Sequence, residues 1–371
     1  MMQHTPDSRP PRLFIPGPVE VEAEIREQLA RPVIGHRGPE ISELLGEVDP
    51  LLRHLFRSEH PAYIATNSAT ALMEASLRNC VRERVLCCVN GAFSERWFEI
   101  CAANGIAADA LEFDWGQPVL PNRVAEALAR GEYDAITVVH SETSTGVMSP
   151  LKEIAEVVRQ HDDLLLLVDG VTSLAVVPIE TEAWGIDVIF TGSHKGLALP
   201  PGLSVYSVSP RALERARAQP QRGFYLDFLL MEKSRERRQT PFTPAMPLIY
   251  ALRKRLQGIL ADPERWYGEH LERARWTRNW AKQNFALYPD DGYESVSLTC
   301  IVNNRDIRVT DLIQYLRGRG VQIANGYGQL KEKTFRIGHM GANDLAAHQQ
   351  LLSWIDEWGQ RGRSGVGVGS E

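Results

Sequence analysis

"DDLLLLVDG" (162–170) and "DVIFTGSHKGLALPPG" (187–202) are the two stretches on which the reading of this chain turns. In the first, five apolar residues run unbroken and end in a carboxylate, Asp169. Such a run, bounded by charge and glycine, reads as a strand buried on both faces, as in parallel sheets. In the second, the apolar run ends at Thr191-Gly192-Ser193. A single lysine, Lys195, then precedes another apolar segment broken by Pro200-Pro201-Gly202. Lysines ordinarily sit on solvated faces. In open α/β sheets ligands gather at the carboxyl ends of the strands, so Asp169 and Lys195 are placed to face one crevice.

Outward from this pair the same alternation continues. Ala62–Thr66, Arg84–Val89, Ala107–Glu112, Ala135–His140, Leu164–Asp169, Asp187–Thr191 and Ser204–Val208 read as strands. Helical patterns such as "SATALMEASLRN" and "SPLKEIAEVVRQH" separate them. In the second helix Ser149 is expected to cap and Pro150 to take the first helical position. The fold class is therefore α/β: a large domain whose mostly parallel sheet is sandwiched by helices.

The pattern changes near residue 222. A mostly helical stretch to about residue 288 leads to strands at Val296–Asn303, near Val321 and at Thr334–Ile337, with helices at Thr310–Gly318 and Asn343–Trp358. This predicts a smaller α+β C-terminal domain. The expected division is an N-terminal arm (1–22), a large domain (23–255), a small domain (256–360) and a Gly-rich tail (361–371) expected to be disordered. "EKSRERRQ" (232–239) reads as a solvated helix face, with Arg237 and Arg238 near a subunit boundary.

At 371 residues the chain is long for one core, and its composition is ordinary for a globular protein. A net charge of −6 argues against a nucleic-acid surface. No apolar run reaches the ~18 residues of a membrane span. "MMQHTPDSRPPR" has no apolar core segment, so no secretory signal is read there and a cytoplasmic location is expected. The five cysteines contain no C-x-x-C and read as reduced, buried thiols, with Cys87 and Cys88 on opposite faces of a strand. No metal-ligand spacing and no G-x-G-x-x-G after a strand is found.

A lysine amine is nucleophilic only when neutral, and burial or inclusion in an imine lowers its pKa from about 10.4. Lys195 is thus a candidate Schiff-base residue; alone, it leaves open a lysine that runs to the surface. A lysine held as an imine and an Asp on a pyridinium nitrogen together mark a pyridoxal phosphate site. Such a site needs a phosphate cradle. "YIATNSATALMEA" supplies a strand, a turn and a helix N-terminus, with hydroxyls at Ser68 and Thr70, where Ser68 also suits a plain N-cap. Phe93 in "CVNGAFSERW" stands where an aromatic can stack on a flat ring, or else in the core. "VVHSETSTGVMSP" puts Thr143, Ser144 and Thr145 at a further strand end.

These motifs resemble the class V, fold-type I pyridoxal phosphate aminotransferases, in the branch of alanine–glyoxylate and serine–pyruvate aminotransferases. PGP, GHRGPE, TNSATALMEA, NGAFSERW, HSETSTGV, DGVTSL, TGSHKGLALPPG, TPFTPAMPLIYAL and RIGHMG occur in order from "IPGPVEV" at residue 15 to "FRIGHMGAND" at residue 335. The resemblance implies that Lys195 is the catalytic imine lysine and carries the α-proton. It implies that Asp169 binds the ring nitrogen, Val171 and Phe93 pack on the two ring faces, and Thr143 meets the ring hydroxyl. Ser68, Ala69, Thr70 and His194 would hold the phosphate, and Thr243 would reach the phosphate of the neighbouring subunit. Arg336 would grip the substrate carboxylate, with Gly35, His36 and Arg37 on the substrate side. His194 stands where Gln is frequent, Ala69 where Gly is common, and Thr240 where some relatives carry a tyrosine.

The expected activity is ping-pong transamination of a small L-amino acid, alanine or serine, to glyoxylate or pyruvate, by a homodimer with shared sites. An aspartate or aminophosphonate transaminase is the alternative, which a second cationic group from Arg37 or the partner chain would favour. A cysteine desulfurase would need a mobile cysteine near the substrate, and no cysteine follows Cys300.

Overall fold

The computed structural model describes residues 10–364. Seven strands form the main sheet: β1 (Ala62–Ala65), β2 (Arg84–Val89), β3 (Ala107–Glu112), β4 (Ala135–Val139), β5 (Leu165–Asp169), β6 (Val188–Gly192) and β7 (Ser204–Val208), in the order β1-β7-β6-β5-β4-β2-β3. Every pair is parallel except those of β7, which runs antiparallel to both β6 and β1. The apolar run of β5 is buried because both of its faces are covered. Leu164, Leu166 and Val168 join one core cluster, and Leu165 and Leu167 join the other. Cys88 and Cys87 divide between the same two clusters, and all five cysteines are buried free thiols.

Helices return the chain between strands. Those that bear on the site are α1 (Pro39–Phe56), α2 (Thr70–Cys80), α3 (Ala92–Asn104) and α4 (Leu151–Val158). The expected cap of α4 is not made. Pro150 is the N-cap residue, and the Ser149 hydroxyl instead accepts the Val119 amide at 3.0 Å. The hydroxyl is drawn away because Val119 is buried and its N–H needs a partner.

After two long helices, α5 (Met246–Ala261) and α6 (Pro263–Asn284), a four-stranded antiparallel sheet forms. Its strands are β8 (Ala286–Leu287), β9 (Leu298–Val302), β10 (Ala324–Asn325) and β11 (Thr334–Gly338), in the order β8-β9-β11-β10. Helices α7 (Val309–Arg317) and α8 (Leu345–Ser364) cover it. Leu256 and Ile259, near the end of α5, still pack in the main core. We therefore propose the domain division at Asp262, the cap of α6, rather than at residues 255/256.

Three expectations change. Arg12–Leu13 pairs in parallel with Val321–Gln322 and Phe14 sits in the small core, while Val19 and Val21 pack with residues of the large domain, so the N-terminal arm is docked on both. The start of the Gly-rich tail is helical, since α8 continues to Ser364; residues 365–371 lie outside the described residues. The 232–239 segment is not simply a solvated face, because Glu232 accepts the Tyr63 hydroxyl at 2.9 Å and pairs with Arg235 at 2.8 Å.

Candidate active site

The carboxyl ends of β1, β2, β4, β5 and β6 meet at one edge of the sheet, and a cavity of about 140 Å³ opens there. Ser68, Ala69, Thr70, Phe93, Thr143, Asp169, Val171, His194 and Lys195 all line it. The parallel sheet brings these residues together across more than 120 positions of sequence, because each parallel strand delivers its following loop to the same edge.

Lys195 sits near the Pro16 carbonyl, to which its amine donates at 3.0 Å. Burial, with the nearby Arg336 guanidinium, pushes the amine down to about 8. Gly17 permits this approach: a Cβ there would lie 2.6 Å from the lysine nitrogen, and its φ of +142° is one that L side chains rarely adopt. Asp169 is 6% exposed and accepts the Val171 amide at 2.8 Å. Burial raises its carboxyl to about 7 against the pull of that amide, and Glu142 adds to the rise. A buried carboxyl so poised is suited to a cationic ring N–H, which would hold it ionised.

At the phosphate end, α2 begins without a side-chain cap. Ala69 is its N-cap residue, so Ser68 does not cap it. The amides of Ala71 and Leu72 reach the carbonyls of Ser68 (3.0 Å) and Ala69 (2.9 Å), and the positive end of the helix favours an anion beside Ser68 and Thr70. Burial, with Lys195 beside it, drives the His194 imidazole down to about 4, so the ring is neutral near pH 7 and offers one N–H. The Thr172 hydroxyl donates to the Ser141 carbonyl at 2.9 Å, so in the 3.1 Å contact between Thr143 and Thr172 it is Thr143 that donates. Meeting a ring oxygen as a donor would require the Thr143 hydroxyl to turn. Helix start, slot and buried carboxyl together fit pyridoxal phosphate. Among the described residues no group of three His, Cys, Asp or Glu side chains could hold a metal ion.

Arg336 is 8% exposed and lies on β11. Its guanidinium donates to the Asn325 carbonyl at 3.0 and 3.1 Å and to the Thr143 carbonyl at 3.1 Å. No carboxylate pairs with it among the described residues, so the fork is held by backbone oxygens and keeps its charge for a ligand.

The remaining expected residues stand elsewhere. Thr243 and Gly35 are exposed and His36 is half-buried, and all three lie outside the cavity. Arg37, beside His36, donates to the carbonyls of Thr240 (2.8 Å) and Pro241 (2.9 Å), which ties the substrate-side segment to the loop that carries Thr243. The Thr240 hydroxyl is spent on the Phe242 carbonyl at 2.7 Å. Cys300 is buried in β9.

Sequence reasoning missed Met73, Arg96, Val139 and Ser141, which line the cavity, and Tyr327, which packs on one of the lining residues. Tyr327 packs on Phe93 with ring centroids 5.3 Å apart, and Arg336 lies 5.5 Å from its ring centre. Arg96 stacks on Phe93 at 4.9 Å, and it had a readable signal: three residues after Phe93 on a helix puts both on one face. Tyr327 had none, because it comes from a loop of the small domain.

Comparison with known proteins places this geometry. A family profile described as "Aminotransferase class-V" matches residues 44–330. The "Soluble hydrogenase, small subunit" of Synechococcus sp. (strain PCC 6716) is 34% identical over 359 residues, 94% of this chain and 93% of that protein. The L-aspartate–glyoxylate aminotransferase of Paracoccus denitrificans is 31% identical over 345 residues, 89% of this chain and 86% of that protein. The crystal structure of alanine–glyoxylate aminotransferase from Nostoc sp. superposes with a TM-score of 0.90 at 28% identity, covering 96% of this chain and 97% of that one. Both large and small sheets are thus those of fold-type I aminotransferases.

Proposed function

The chain belongs to the class-V aminotransferases, and from that premise we propose that it moves the α-amino group of a small L-amino acid, alanine or serine, to glyoxylate or pyruvate, using pyridoxal phosphate. The observation that carries this reading is the meeting of Lys195 and Asp169 in one cavity, with the Arg336 fork bonded to the carbonyl of Thr143, another residue that lines it. Pyridoxal phosphate, once bound, supplies an aldehyde for the amino group and a ring that takes up the electrons of the α C–H bond.

The protein's part is positioning and proton handling. Arg336 binds the α-carboxylate with its planar fork. Lys195, with an amine at about 8, holds a useful neutral fraction near pH 7 and moves the α-proton as base and then acid. Asp169 holds positive charge on the ring nitrogen. Ser68, Ala69, Thr70 and the neutral His194 hold the phosphate, and Phe93 and Val171 bracket the ring.

A homodimer with shared sites is part of the proposal. Two segments expected at the site, residues 35–37 and Thr243, are absent from the chain's own cavity yet tied to each other, as they would be if both served the partner's site. Phe224, 76% exposed, joins Tyr225 and Phe242 in a ring cluster that extends that face.

A second reading, transamination of aspartate, is favoured by Arg96, a second cation in the cavity with no carboxylate partner among the described residues. The test is the half-reaction. The protein loaded with pyridoxal phosphate is trapped with borohydride, and the tag is expected on the Lys195 peptide. Bleaching of the cofactor band by alanine or serine ahead of aspartate supports the first reading, and aspartate ahead of both supports the second. A tag on another peptide defeats both.

A further inference from the structure

Helix α3 carries Phe93 and Arg96, two of the residues that line the cavity, and at its own start the Ser94 hydroxyl accepts the Asn90 amide at 2.9 Å, while the Phe93 and Ser94 amides find no acceptor there. Its N-cap residue is Gly91, which has no side chain to offer. The missing acceptor comes from a loop some fifty residues further on, at the end of β4. Glu142 is fully buried, and its carboxylate accepts the Phe93 amide at 3.2 and 3.3 Å and the Ser94 amide at 2.9 Å. The same carboxylate accepts the Ser144 amide at 3.1 Å and the Ser144 hydroxyl at 2.6 Å. Ser144 in turn accepts the Ala92 amide at 3.1 Å.

Every neighbour donates, and a carboxylate is the one side-chain group of this size that only accepts. A negative group at a helix N-terminus also opposes the positive end of the helix dipole. Gly91 is needed for the fit, since a Cβ there would lie 2.5 Å from Glu142 Cγ and 2.6 Å from Ser144 Oγ. The carboxylate is therefore clamped between two loops. One continues into Phe93. The other contains Thr143, between Glu142 and Ser144, whose carbonyl also takes the Arg336 fork.

We propose that Glu142 is a positioning residue for the transamination site: it fixes the Phe93 wall of the cofactor slot relative to the Thr143 corner and, through the Thr143 carbonyl, relative to Arg336. This assignment rests on the reading that the cavity receives pyridoxal phosphate between Phe93 and Val171. Glu142 does not touch the cofactor. It acts by holding the groups that do, and replacing its carboxylate by a carboxamide turns an N–H₂ toward at least one backbone amide, which can only donate.

The test compares wild type, Glu142→Gln, Ser144→Ala and a control, Asp262→Ala, which removes the cap of α6 (Asp262 accepts the Arg265 amide at 3.1 Å) far from the slot. The readouts are the dissociation constant for pyridoxal phosphate by equilibrium dialysis, the visible circular dichroism of the bound coenzyme, and the melting temperature without coenzyme. Glu142→Gln is expected to weaken binding about tenfold or more and to diminish the dichroic band, with Ser144→Ala weakening it about threefold. Asp262→Ala is expected to lower the melting temperature with both coenzyme readouts unchanged. In a Phe93→Ala background the effect of Glu142→Gln on binding should largely vanish, because the wall it positions is gone. Wild-type affinity and dichroism in Glu142→Gln, or in Ser144→Ala should the first variant not fold, overturn the assignment. A wild-type chain that takes up no coenzyme defeats the reading of the slot, and the assignment with it.

Discussion

At the scale of single residues, the site is governed by two buried titratable groups displaced in useful directions. Asp169 has its carboxyl raised from an ordinary 3.8 to about 7, chiefly by burial. Without coenzyme the native state therefore holds a proton that the unfolded chain releases near 3.8. Its favourable contribution to stability is complete below that value and is lost as pH rises through about 7. Asp169→Asn, which cannot ionise, should match or trail wild type near pH 4 and gain on it steadily to pH 7. Urea midpoints of the coenzyme-free proteins across that range test this, and parallel curves refute it. The Lys195 and Asp169 pair was legible in the sequence because each follows a buried apolar run at a strand end. Arg96 was reachable from its three-residue spacing to Phe93. Glu142 lies within a quoted motif, yet the Phe93 and Ser94 amides it accepts belong to another element, and no spacing within its own segment reveals them.

At the scale of elements, the strands of the main sheet were readable almost to the residue. A strand buried on both faces must be apolar throughout, and the polar residues that end it mark its boundary. Helix starts were less legible. Ser149 has the residue type of a cap but is drawn to the Val119 amide, and α2 and α3 start with no side-chain cap from their own N-cap residues. The N-terminal arm is the clearest case of an element defined by tertiary contact. Phe14 is 1% exposed and packs with Ile301, Phe335 and Leu351, while Pro16 two residues on accepts from Lys195. Phe14→Ala should cost about 3–5 kcal/mol of stability, read by chemical denaturation, because the cavity left in the small core cannot collapse fully. A loss under about 1 kcal/mol would mean that the arm is not docked as described.

At the scale of the whole molecule, the site is incomplete within one chain on the reading proposed. Thr243 and the 35–37 segment are joined through Arg37 outside the cavity that holds Lys195, beside the Phe224 cluster. Thr243→Val should weaken pyridoxal phosphate about tenfold, the value of a lost hydrogen bond to a charged group, while borohydride trapping still tags Lys195. Light scattering should give twice the chain mass. A monomer that binds the coenzyme at full strength would sink the shared-site proposal.

By itself, the sequence determined the α/β class, the strand order along the chain, the placing of Lys195 and Asp169 at strand ends that face one cavity, and the family, through motifs in their proper order. These are local properties: hydrophobic period, strand-end chemistry and short spacings are written in contiguous residues. Only the tertiary structure decided that nine distant residues line one cavity, that Arg336 is held by backbone carbonyls with no carboxylate partner among the described residues, that burial lowers the His194 imidazole, and that the Glu142 carboxylate accepts the Phe93 and Ser94 amides. Those depend on burial and on contacts between segments far apart in the chain, which set dielectric and geometry and are fixed only when the sheet closes.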